Sequence, residues 1–122
     1  TLDEIIANNF TSTRQIVSVA KSDAGFSTDG CGTWTLDNYP LTVSPTSEFG
    51  DGMYKVGRDI AAGRWRNNDS SQDCYWERLS GFGGTLDEII ANNVSTSIQT
   101  VDVAPGDLGF SAEDCGTWTK IG

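Results

Sequence analysis

The sequence predicts a mostly β protein: an antiparallel β-sandwich or small barrel with one short helix per repeat. Three observations carry this. Short runs rich in aromatic and branched residues are separated by clusters of Gly, Asn, Asp and Ser, as strands are. One capped, helix-spaced pattern stands among them. A 35-residue stretch occurs twice, so it marks a structural unit.

The elements read in order as follows. "MYKVG" (53–57) and "GRWRN" (63–67) are short strands. "CYWERLS" (74–80) alternates, with Tyr75, Glu77 and Leu79 on one face and Cys74, Trp76 and Arg78 on the other. "GFGG" (81–84) breaks the chain. Thr85 and Glu88 then form a T-x-x-E capping box, and Leu86, Ile89 and Ile90 fall on one helical face. Asn92 and Asn93 suit a left-handed stop, so one or two helical turns are predicted over 86–92. Residues 94–103 have a β-rich composition with Ile98 and Val101 facing the core, "PGD" (105–107) turns, and 109–121 ends as a strand or strand pair.

The repeat sets the domain organisation. Residues 1–35 align with 85–119 without a gap, and 22 of 35 positions are identical. "TLDEIIANN" opens both copies and "CGTWT" closes both. Residues 51–84 have no second copy. A unit is therefore a front half (51–84) joined to a back half (85–121). The chain reads as the back half of a first repeat (1–35, front half missing), a Pro-, Ser- and Thr-containing linker (36–50) and a complete repeat module (51–122). One front half cannot serve two back halves, even in a strand-exchanged polymer. That count favours truncation of a longer array, with mutual pairing of the two back halves as the other option.

Cysteines follow the same division. Cys74 lies in the front half and Cys115 in the back half, so they are the natural disulfide within the complete module. Cys31 is the equivalent of Cys115 and is left as an unpaired or intermolecular thiol. A unit this small is marginal on its core alone. The competing reading is three reduced, buried thiols in a reducing compartment.

Composition narrows the function classes. The net charge is −9, which disfavours a phosphate backbone, so no nucleic-acid partner is expected. No apolar run reaches the roughly 18 residues of a membrane span. No signal peptide is visible, as in a chain whose targeting segment has been removed. Residues 51–84 hold five acids and five bases, whereas 85–122 hold six acids and only Lys120. The two halves are thus electrostatically complementary.

There is no histidine, which removes the commonest general base and metal ligand. Three cysteines cannot make a four-ligand Cys site for structural zinc. No catalytic residue, metal site or cofactor is assigned. Asp87 and Glu88 read as helix-start acids rather than an acid/base pair, since neighbours on a helix diverge. "NNDSSQD" (67–73) is oxygen-rich but lacks EF-hand spacing. Asn9, Asn68 and Asn93 begin N-x-[ST] sequons. The aromatic residues keep two readings. Trp34 and Trp118 follow cysteines by three and read as core, whereas Trp65, Trp76 and Tyr54 form a possible ligand platform for stacking sugar rings.

The pattern G-x-Y-x-V-G-x-D-I-x-x-G-x-W-R from Gly52, then CYWERLSG, IIAN and CGTW, resembles an uncharacterised repeat domain of secreted and lipid-anchored envelope proteins of Gram-positive bacteria. The resemblance implies an extracytoplasmic, disulfide-bonded, mostly β module and carries no catalytic residues. The expected function is a non-enzymatic extracellular tandem module, a structural or interaction part of an envelope protein. Its expected partners are other copies of the repeat or an envelope protein. The alternative is a module binding cell-wall glycan.

Overall fold

The computed structural model describes residues 4–35 and 46–122. Its strands are β1 (Glu48–Phe49), β2 (Gly52–Lys55), β3 (Gly63–Asn67), β4 (Cys74–Leu79), β5 (Ile89–Ser95), β6 (Thr100–Val103), β7 (Gly109–Glu113) and β8 (Trp118–Lys120). They form two four-stranded sheets, ordered β1-β8-β3-β6 and β2-β7-β4-β5, with every strand pairing antiparallel. The core lies between the sheets. Trp65, Val101, Val103 and Trp118 come from one sheet, and Tyr54, Cys74, Phe110 and Ala112 from the other. The protein is a β-sandwich rather than a barrel.

The alternation of the sequence explains these faces. In β3 Trp65 and Asn67 point inward while Arg64 and Arg66 face solvent, and in β6 Val101 and Val103 do the inward work. Trp65 stands opposite Val101, and Arg64 opposite Asp102, so an apolar pair and an ion pair alternate across one ladder.

The order of strands within the sheets interleaves two halves of the sandwich, residues 46–84 and 85–122. β1 to β4 precede residue 84 and β5 to β8 follow it. All six strand pairings, β1·β8, β2·β7, β3·β6, β3·β8, β4·β5 and β4·β7, join an earlier strand to a later one. Neither half contains a ladder of its own.

Two expectations are corrected here. The helix over 86–92 shrinks to a 3-10 turn, Leu86–Glu88. The local signal is real: the Glu88 carboxylate accepts hydrogen bonds from the amides of Gly83 and Thr85 and from the Thr85 hydroxyl. A helix of one or two turns is too short to offset its nucleation cost, whereas β4 offers a ladder running from Cys74↔Ser95 to Leu79↔Ile89. Ile98, expected in the core, is exposed just before β6.

Of the stretch read as a linker, residues 36–45 lie outside the described residues. The remainder contributes β1. Phe49 is buried at the centre of the aromatic cluster, 4.7 Å from the Tyr54 ring, 4.9 Å from Trp65 and 5.8 Å from Phe110. Nothing in "SPTSEFG" announces this, because a two-residue strand carries no periodicity.

Candidate functional site

The site is built around the cysteines. Cys74 opens β4 and Cys115 follows β7, and their sulfurs are bonded, closing a separation of 41 residues. Closing a loop of that length is worth about 4 kcal/mol in the chain-entropy account. Buried side chains brace it. Asn67 on β3 accepts a hydrogen bond from the Gln99 amide at 2.6 Å and donates to the Cys115 carbonyl at 3.0 Å. Gln99 donates to the Cys74 carbonyl and accepts from the Trp76 indole at 2.7 Å. A bidentate pair, Arg78–Asp107 at 2.7 and 3.0 Å, ties β4 to the β6–β7 turn, with the Asp107 side chain almost wholly buried. Arg78–Asp107 and Arg64–Asp102 both link the front and back halves, the sense of the charge complementarity in the sequence.

The proposed ligand platform does not assemble. Trp65 is 0% exposed and Tyr54 9%. The Trp65 indole donates to the Ala61 carbonyl and the Tyr54 hydroxyl donates to the carbonyls of Gly50 and Asp51. Burial is the first reason that the Tyr54 hydroxyl is harder to ionise than an ordinary phenol. Trp76 is half-buried, stacked 6.1 Å from Phe110. An aromatic residue that follows the core period of its strand is committed to packing.

The remaining candidates have local roles. In the 67–73 loop the Asn68 side chain accepts from the Thr117 amide, and Asp69 accepts from the Ser71 amide and hydroxyl. The Ser71 hydroxyl is the main reason that the Asp69 carboxyl sits below its usual range. Glu88 is an anchor of the 3-10 turn. Burial raises its pKa, but the hydrogen bonds from Gly83 and Thr85 prevail and hold it below the usual range. Asp3 lies outside the described residues. Among the described residues no group of three or more Cys, Asp or Glu is placed to hold a metal ion.

The first copy, residues 4–35, is the feature the sequence only partly foretold. It forms no strand. Residues 11–18 run along the outer edge of β2, where the Met53 amide donates to the Arg14 carbonyl at 3.0 Å. The Arg14 guanidinium lies 4.9 Å from the centre of the Tyr54 ring and pairs with Asp59 at 3.2 Å. Yet its internal contacts copy those of the second. Asn9 donates to Gln15 at 3.0 Å, as Asn93 does to Gln99. The Ala20 amide donates to Asp23 at 2.9 Å and the Ala104 amide to Asp107 at 3.0 Å. Phe26 meets Trp34 edge-on at 5.3 Å and 88°, and Phe110 meets Trp118 at 5.4 Å and 87°. Left-handed residues flank both cysteines, Gly30 and Gly32 (φ 69° and 76°) in one copy and Asp114 and Gly116 (φ 59° and 75°) in the other.

What differs is cover. Phe26 is 49% exposed, Trp34 39% and Val19 56%, against 0%, 0% and 2% for Phe110, Trp118 and Val103. Cys31 is an exposed, unpaired thiol.

An antiparallel sandwich of this size, locked by one disulfide between interleaved halves, is the architecture of a small domain from an oxidising compartment. The chain belongs to the Rv1352-like extracellular domain family, whose sequence pattern matches residues 1–35 and 46–119. It is similar to the uncharacterized protein Rv1352 of Mycobacterium tuberculosis (strain H37Rv), 27% identical over 85 residues that cover 59% of this chain and 69% of the relative. The uncharacterized protein Mb1387 of Mycobacterium bovis matches to the same extent. No solved structure matches the chain. The domain is extracellular, and among the described residues no helix is long and apolar enough to cross a membrane.

Proposed function

We propose that this chain is a non-enzymatic structural or protein-interaction part of an envelope or surface protein, built from a module that includes β1 (46–122) and the back half of another (1–35). The observation that supports this reading is the exposed apolar set of the first copy. Val19, Phe26 and Trp34 stand in solvent in the arrangement that the second copy buries. Exposed apolar groups held in a defined geometry mark a surface that works by contact. The glycan reading loses its support with the burial of Trp65 and Tyr54.

The test places a photo-crosslinking phenylalanine analogue at Phe26 in cells secreting the chain, with the same analogue at the exposed Leu86 as a control. A discrete protein adduct at 26 and none at 86 is expected. No adduct at 26, or catalytic turnover of an envelope substrate by the purified chain, overturns the reading.

A further inference from the structure

We infer that residues 4–35 are a preformed docking surface for a front half: a polypeptide on the pattern of residues 51–84, with a cysteine at the Cys74 position that bonds to Cys31. This rests on the interaction reading above and names the partner's chemistry.

The argument is internal to the molecule. The second copy shows what its sequence binds, since each of β5 to β8 pairs only with strands that precede residue 84. The first copy has the same residues at 22 of 35 positions. It also has the same local geometry: the Asn9–Gln15 and Ala20–Asp23 contacts, the Phe26–Trp34 edge contact, and left-handed residues on both sides of the cysteine. The Cys31 sulfur lies 3.5 Å from the Asp29 carbonyl oxygen, as the Cys115 sulfur lies 3.3 Å from that of Glu113. These are contacts that a back half makes with itself. The front half already present touches the first copy elsewhere, through Met53 to Arg14 and Ser18 to Phe82; missing are the contacts that a front half makes at the equivalent positions of the second copy. Asp23 holds the place at which Asp107 receives Arg78, and Cys31 the place at which Cys115 receives Cys74.

Glycine spacing agrees. A methyl group on Gly109 would lie 2.3 Å from the Phe82 ring, and one on Gly116 2.4 Å from the Asn68 side chain. At the equivalent Gly25 and Gly32 nothing lies within 4 Å. Gly32 is already required by its left-handed φ of 76°, but Gly25 is a glycine that only close approach of a front half would require. Residues 46–84 are already engaged with 85–121, so the occupant is a second front half. The covalent step joins two thiols. They lose two protons and two electrons to a small disulfide such as oxidised glutathione, which leaves as two thiols.

The test is oxidative refolding, in a glutathione buffer, of the full chain carrying an additional copy of residues 46–84 ahead of Thr1. The expected result is loss of Cys31 reactivity toward N-ethylmaleimide, with a non-reducing digest linking Cys31 to either front-half cysteine. Trp34 emission shifts to that of a buried indole, and this shift persists when the added cysteine is replaced by serine. Gly25→Ala, silent in the present chain, lowers the Tm of the completed chain. The inference is overturned if Cys31 stays fully reactive and Trp34 stays exposed while one module forms its own disulfide. That outcome, with a Phe26 adduct still seen in cells, leaves the interaction reading standing. Pairing of Cys31 in refolding without any adduct in cells supports the docking geometry and sinks the interaction reading.

Discussion

Residues 4–35 and 88–119 share 19 of 32 aligned residues and stand in two environments. One forms β5 to β8 of a sandwich and buries Phe110, Trp118 and Cys115 completely. The other forms no strand and leaves Phe26, Trp34 and Cys31 in solvent. The difference separates two classes of interaction. Several contacts within about ten residues recur in both copies, because turn chemistry and left-handed residues act locally. Strands are absent from the first copy because every ladder of the sandwich joins residues 46–84 to 85–122, and the first copy meets 46–84 through the isolated backbone hydrogen bonds Met53 to Arg14 and Ser18 to Phe82 rather than through a ladder. In this fold the strand is a property of the pair of halves.

The largest expected effect breaks the pair. Residues 85–122 alone should show a coil-like far-UV spectrum and no cooperative melting, whereas 46–122 should melt like the full chain. A folded 85–122 would remove the basis of the comparison.

The cysteines come next. Cys115→Ser should cost about 4 kcal/mol by chemical denaturation under oxidising conditions. Cys31→Ser should leave the midpoint unchanged. Equal effects would mean that the first copy is already covered.

Glycine substitution gives a smaller contrast. Gly109→Ala forces a methyl group against Phe82 and should destabilise by roughly 1–3 kcal/mol, as overpacking does. Gly25→Ala meets nothing and should change the Tm by no more than scatter.

Acid should weaken the complete module through Asp59. Burial raises the pKa of this carboxyl, but the hydrogen bond from Arg58, the Lys55 amide and the charges of Arg58 and Arg14 prevail and lower it. A carboxyl whose pKa falls on folding adds stability that is present above its unfolded pKa and is lost as pH falls through the folded value. With no histidine, no side chain of ordinary pKa titrates between about pH 5 and 8, so the Tm should be flat there and fall below about pH 4. Asp59→Asn should flatten part of that acid limb; an identical limb would refute the assignment.

The smallest effect belongs to Arg64–Asp102. Both side chains are more than half exposed, so Arg64→Ala should barely move the denaturation midpoint, and less still in high salt. A larger shift would show that surface charge helps to hold the halves together.

The amino-acid sequence alone carried the mostly β fold class and the pairing of Cys74 with Cys115. It also determined the local geometry that both copies share. Each of these depends on residue period or short-range chemistry, or on the division of the repeat into halves. The tertiary structure alone decided the rest. It put Phe49 at the centre of the core, although a two-residue strand has no period to read. It turned Ile89 and Ile90 from helix to strand, because β4 offered hydrogen bonds that two helical turns could not match. It committed Trp65 and Tyr54 to the interior, since composition supplies aromatic residues without saying which face they occupy. It also gave identical residues opposite fates, because a chain folds into strands only where a partner backbone offers it a ladder.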